Sequence, residues 1–169
     1  MFACFDFIIF MRLCQLSEYR LTWTKSDLCA LCNIQDTQLD VICTYLSRLG
    51  VDCVSIQEPE LFTFPYKLVP MHYQGLQEKL SHLDIYYFMI LASTNSYALQ
   101  GPRIAARAQL VIAEYQTHGR GQYARQWHAA YASNVLLSYA RCFEQRYDWS
   151  GFSVLVGTCL YKQLQQAYP

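Results

Sequence analysis

A chain of 169 residues, 53% apolar and 15% aromatic, is long enough to bury a core and too hydrophobic to be a disordered tail. Basic and acidic residues balance at 13 each, which excludes a bulk attraction for nucleic acid or anionic lipid. The balance is uneven along the chain: residues 1–66 carry four bases against eight acids and residues 67–169 nine against five, so two parts with different roles are expected.

Residues 4–18 carry apolar side chains at Phe7, Phe10, Leu13, Cys14 and Leu16, which predicts a helix. Thr24 or Ser26 is placed to cap a second, short helix holding Leu28 and Leu31. Asn33 suits a left-handed turn. A third helix over 35–48 follows from Leu39, Ile42, Cys43, Leu46 and Leu49, and Gly50 stops it. Val51–Ile56 and Leu61–Phe64 read as strands split by Gln57-Glu58-Pro59-Glu60. Three helices followed by a hairpin predict a winged helix-turn-helix at 8–66.

The pattern then changes. Residues 74–82 predict a short helix, and Ile85–Leu91 a strongly apolar strand. Thr94 or Asn95 caps a helix running to about residue 100. Gln109–Tyr115 is a second strand, 116–130 a long polar loop, Asn134–Cys142 a third strand and Tyr147–Gly151 a turn. Phe152–Gln166 completes the set as a helix with Leu155, Cys159, Leu160 and Leu164 on its inner side. The fold class is α+β.

Six of the eight cysteines precede residue 60, mostly inside apolar runs. The opening MFACFDFIIFMRL has no basic n-region, carries Asp6 and lacks a small-residue cleavage site, so a secretory signal is not expected. Its apolar run is too short to span a membrane. A reduced, cytoplasmic protein with cysteines as small core residues is expected. Cys29-x-x-Cys32 invites a zinc reading, but Cys43 and Cys53 do not form a second close-spaced knuckle, and no metal site is expected. His72, His82, His118 and His128 share no ligand spacing. The rings at 62–64 and 86–88 read as strand core.

The most informative segment is Glu114-Tyr115-Gln116-Thr117-His118-Gly119-Arg120-Gly121-Gln122-Tyr123-Ala124-Arg125-Gln126-Trp127. Its glycines allow close approach of backbone amides to an anion. Arg120 and Arg125 bring planar, permanently charged forks suited to carboxylate or phosphate. Trp127 offers a flat face to a purine, and Gln116 both donates and accepts at a ureido or amide group. Together they point to a nucleotide or acyl-adenylate site.

Ser93-Thr94-Asn95, then Ala113-Glu114-Tyr115-Gln116, then Gly119-Arg120-Gly121 and Arg125-x-Trp127, then Asn134 and Ser138, resemble in order and spacing the biotin–protein ligase family over residues 85–166. Leu28 to Val51 resembles the helix-turn-helix of its bifunctional type, which is both ligase and repressor of biotin synthesis genes. The resemblance implies a biotin/lipoate ligase-type mixed-sheet catalytic domain, in its N-terminal portion, over 70–169. It implies attack of the biotin carboxylate on the α-phosphate of MgATP, then transfer of biotin to a lysine of a biotin carboxyl carrier protein. Ser93, Thr94, Asn95, Gln116 and Gly119 match the biotin-binding elements. Arg120 matches the catalytic arginine near carboxylate and phosphate. Gly121, Gln122, Arg125 and Trp127 match the loop that orders over the adenylate. Biotin, ATP and the Mg2+ that accompanies ATP are the implied ligands, and a homodimer is a possible state in this family.

The sequence departs from the family pattern three times. Gln122 and Tyr123 stand where arginines are common, and Ala124 where glycine is, so weaker adenylate retention is expected. The family's K-W-P-N-D strand and the lysine needed for adenylation have no counterpart in these 169 residues, so the expectation is a truncated or split product, inactive as an isolated chain. The alternative is a catalytically incomplete, biotin-responsive repressor or binding module. Asp36 and Asp40 on the recognition helix, with Glu58-Pro59-Glu60 at the wing tip, argue against DNA binding.

Overall fold

The computed structural model describes residues 4–56, 60–100, 107–121, 123, 125–143 and 148–168, the first four by backbone alone. Among them it is a mixed α+β structure with two three-stranded sheets. No described helix is long and apolar enough to cross a membrane.

Helix α1 (Cys4–Tyr19) turns Ile9, Phe10, Leu13, Cys14 and Ser17 to one buried face, as the helical period dictates. Ser17 is buried because its hydroxyl is used twice: it donates to Cys14 O at 2.7 Å and accepts from Leu68 N at 2.8 Å. Strand β1 (Thr22–Thr24) buries Trp23 between exposed threonines. Three residues are too few for a periodic signal, so this strand was not legible in the sequence.

Helix α2 (Lys25–Cys32) is capped by Thr24, whose hydroxyl accepts from Asp27 N at 3.0 Å. Asn33 ends it at φ 55°, and its N–H returns to Ala30 O. Helix α3 (Asp36–Arg48) opens with a capping box between Gln35 and Gln38 and buries Leu39, Ile42 and Leu46. Gly50, at φ +75°, turns the chain after it. Strands β2 (Val54–Ile56) and β3 (Leu61–Thr63) form an antiparallel pair, β2 starting three residues later than the expected Val51 and β3 ending one before the expected Phe64, and β1 joins on the far side of β3. Phe62 and Phe64 are core, in edge-to-face contact at 5.0 Å.

Helix α4 (Tyr73–Lys79) is shorter than the expected 74–82 at its C-terminal end and starts at His72, whose Nδ1 accepts from Gly75 N. Strands β4 (Asp84–Leu91) and β5 (Gln109–Gln116) are parallel, and helix α5 (Thr94–Gln100) lies between them in the chain. Strand β6 (Leu136–Ala140) runs antiparallel to β5, in the order β4-β5-β6. Period-2 alternation along β4 sends neighbouring rings to opposite faces. Tyr86 and Phe88 pack on Tyr97 of α5, while Tyr87 stacks on Tyr73 of α4. The β4 rings are half-buried rather than full core.

Three expectations need correction. The β6 strand ends two residues earlier than Cys142, and Cys142 and Cys159 are exposed rather than core. Helix α6 (Phe152–Ala167) forms as expected, yet Leu155, Cys159, Leu160 and Leu164 are exposed, not inward-facing. The helical period is present, but none of the described residues of the helix is buried.

Candidate functional site

The site residues converge at the C-terminal ends of the parallel pair β4–β5. Beyond Leu91 the chain passes through Ala92 to Ser93 and enters α5. Ser93, not Thr94 or Asn95, is the cap: its hydroxyl accepts from Ser96 N at 3.4 Å and its carbonyl from Tyr97 N at 3.0 Å. Thr94 is therefore the first helical residue, with a backbone N–H that has no partner within the helix. Gln116, the last residue of β5, supplies one. Its Oε1 accepts from Thr94 N at 2.7 Å and from Thr94 Oγ1 at 3.3 Å. Ser138 of β6 donates to Thr94 Oγ1 at 2.9 Å. Three elements are thus tied at one point.

The segment after β5 is not a featureless loop. Thr117 N and His118 N bond back to Leu91 O and Ala92 O, which continues the β4–β5 ladder. The chain then doubles into a short antiparallel ribbon. Trp127 N donates to Gly119 O at 2.8 Å, Gly121 N donates to Arg125 O at 2.7 Å, and Arg120 bridges to Gln126. Gly119 is buried, and a Cβ there would stand 2.9 Å from Trp127 O, so only glycine lets the two legs close. The ribbon presents Arg120, Arg125 and Trp127 to solvent, and Asn95 is exposed as well. Neither arginine is ion-paired to a described residue. Tyr123, at the tip, holds φ +57°. Gln122 lies outside the described residues, as do Ala124 and Gln57 to Pro59.

Beneath the site sits Glu114, 1% exposed. Its Oε1 accepts from Tyr87 Oη and from Met71 N, each at 2.7 Å, so a buried carboxylate is satisfied by donors from β4 and from the segment before α4. Burial, and then this bond, push the Tyr87 hydroxyl well above its usual pKa.

The structure brings Ser93, Thr94, Gln116, Gly119, Arg120, Gly121, Arg125 and Trp127 into one region, with Asn95 exposed nearby in the chain. Sequence reasoning quoted Ser138 and Glu114 without giving them roles. The signal for Ser138 was available: Leu136, Ser138 and Ala140 share one strand face, and a hydroxyl among small and apolar neighbours asks for a partner. Among the described residues no three His, Cys, Asp or Glu side chains group to hold a metal ion. The arrangement leaves the amide N–H groups of Gln116 for a hydrogen-bond acceptor, and two solvent-exposed arginines, Arg120 and Arg125, for an anion. No protein-family model matches the chain.

Proposed function

We propose that this chain is a biotin- and adenylate-binding member of the biotin–protein ligase group, with a winged helix-turn-helix at 8–66 and the N-terminal portion of the ligase catalytic domain at 70–169. The observation that carries the reading is the Thr94–Gln116 bond of 2.7 Å beside a Gly119 that tolerates no side chain. That short motifs separated along the chain meet at one point supports the reading. The three-helix arrangement with a β1-β3-β2 antiparallel sheet, and the mixed sheet β4-β5-β6, support the two-part reading.

In this reading Gln116 and Ser93 hold the ureido ring on a frame that Thr94 fixes, with Asn95 exposed nearby in the chain. Arg120 and Arg125 draw the biotin carboxylate and the α-phosphate together, which removes the electrostatic and entropic cost of joining two anions. Trp127 takes the adenine, and Gly121 belongs to the loop that covers it. Mg2+ arrives with the ATP phosphates as part of the substrate. The acceptor is a lysine of a biotin carboxyl carrier protein.

The test is isothermal titration of the purified chain with biotin. One-site saturable binding is expected, abolished by Gln116→Ala and by Gly119→Val, the second because its side chain would force the ribbon open. No binding by the parent chain would overturn the reading.

A further inference from the structure

Every proton in the Thr94–Gln116–Ser138 cluster can be assigned from one fixed donor. A backbone N–H only donates. Thr94 N lies 2.7 Å from the Gln116 amide, so the atom facing it must be the oxygen, which settles the orientation of an amide whose ends are otherwise interchangeable. That oxygen also faces Thr94 Oγ1, so the threonine hydroxyl must donate to it. With its proton spent, Thr94 Oγ1 can only accept at its remaining contact, and Ser138 donates there.

The consequence lies at the other end of the amide. Gln116 Oε1 has both lone pairs occupied. Its Nε2 stands 3.6 Å from where a Cβ on Gly119 would be, so the N–H groups run along the inner side of the ribbon. Nε2 donates to no described residue, yet no buried side-chain nitrogen or oxygen among them lacks a partner, so Nε2 is open to an incoming ligand.

We infer that Ser138 is a positioning residue which, by donating to Thr94 Oγ1, directs the threonine proton onto Gln116 and reinforces the amide orientation that Thr94 N fixes, so that Gln116 offers the ligand N–H donors only and the site is selective for a carbonyl or carboxylate acceptor at that point and hostile to a donor. This deepens the biotin reading and rests on it for the ligand, while the orientation of the amide does not.

Two measurements separate these. In the ligand-free chain, nuclear Overhauser contacts from the Gln116 side-chain NH2 are expected to Gly119 Hα and not to the Thr94 amide proton. The reverse pattern overturns the inference whether or not biotin binds. With ligand, biotin is compared with 2-iminobiotin, whose cyclic guanidinium places donors where biotin has its carbonyl oxygen. The parent chain is expected to prefer biotin by tenfold or more. Gln116→Glu, which offers acceptors only, should invert the preference. Ser138→Ala should narrow it several-fold and Ser138→Thr restore it. Equal binding of both probes by the parent, or a ratio untouched by Gln116→Glu, overturns the inference. Failure of both probes to bind the parent sinks the biotin reading, and the ligand-free contacts then decide the inference alone.

Discussion

Gly50 and Ala130 touch so closely that a Cβ added to Gly50 would stand 3.1 Å from both the Cα and the Cβ of Ala130. The contact joins the turn after α3 to the return leg of the ribbon. It is reinforced on either side: Tyr131 N donates to Leu49 O at 2.9 Å, and Tyr115 Oη donates to Arg48 O at 3.1 Å. Both ends of the ribbon-bearing segment are thereby seated on the C-terminal end of α3. Gly50→Ala is expected to lose stability twice over, through a left-handed alanine, roughly 1–2 kcal/mol, and through overpacking, roughly 1–3 kcal/mol. Gly151→Ala is the matched comparison, with φ +76° and nothing within 4 Å. Urea unfolding of both variants should show Gly50→Ala the worse by at least about 1 kcal/mol. Equal losses would mean that Ala130 yields without cost.

Tyr131 extends the same junction inward. It is fully buried, meets Phe10 edge-on at 4.9 Å, and its carbonyl accepts from Tyr66 Oη at 2.9 Å. It belongs to the core built by α1, α2 and α3 although it follows the ribbon in the chain. Tyr131→Ala should cost about 3–5 kcal/mol, as large core deletions of rings do. Tyr131→Phe, which removes only a long contact from the hydroxyl to Met89 Sδ at 3.6 Å, should cost under about 1 kcal/mol. Amide exchange of Trp127 should rise in the first variant and hold in the second.

The legible parts of the fold were those whose pattern is local. Leu39, Ile42 and Leu46 mark a helical stripe, Thr24 and Asn33 mark ends, and Val111 to Ala113 mark a buried strand. What was not legible depends on distant partners. Nothing in Thr22-Trp23-Thr24 shows that β3 will pair with it. The cap at Ser93 and the roles of Thr94 and Ser138 depend on how α5 enters from β4 and where β6 returns. In α6 the apolar period is real, but period alone does not supply a surface to bury against.

That last point has a test. Leu155, Leu160 and Leu164 are 60%, 59% and 58% exposed, whereas Leu46 is 0% exposed. Leu160→Ala in the monomeric chain should change stability by less than about 0.5 kcal/mol, while Leu46→Ala should cost about 2–5 kcal/mol. A loss above about 2 kcal/mol for Leu160→Ala in dilute solution would show α6 packed on a surface of the chain.

Alkaline pH should destabilise the protein through its buried and half-buried thiols. Burial, then the nearby Glu18 and Glu114, push Cys14 up to about 12, and burial pushes Cys53 up to about 12 as well. In the unfolded chain a thiol ionises near its ordinary value of 9.0. Between these values the unfolded state has lost protons that the folded state keeps, so stability present below pH 9.0 falls as pH rises towards about 12. Urea midpoints measured from pH 8 to 11 should decline above about pH 9, and Cys14→Ala should flatten part of the slope. An identical slope in Cys14→Ala would remove Cys14 as a cause.

The final prediction concerns α3, the helix that a winged helix-turn-helix would lay against DNA. Its acids are not idle. Asp40 lies 3.7 Å from Lys25, and Asp36 accepts from Cys29 Sγ at 3.2 Å. Lys25 is thus drawn towards an acid rather than free for a phosphate. On the outer side, Val41 is 54% exposed and Tyr45 36%, an apolar stripe where base-edge or phosphate contacts would be needed. Arg48, the helix's sole base, lies over the Tyr45 ring at 5.7 Å. Binding to duplex DNA draws its affinity from neutralised phosphates, each releasing counterions. A helix with two acids near its start and one arginine at its end cannot supply them. At about 0.15 M salt the chain should shift neither a biotin-operator fragment nor random duplex, and lowering the salt to about 0.05 M should bring at most weak, sequence-independent binding. The double variant Asp36→Lys, Val41→Arg should gain binding whose logarithm falls with the logarithm of salt. Specific retardation by the parent chain with a steep salt slope would mean that residues other than those of α3 carry the phosphate contacts, and the charge argument would fail.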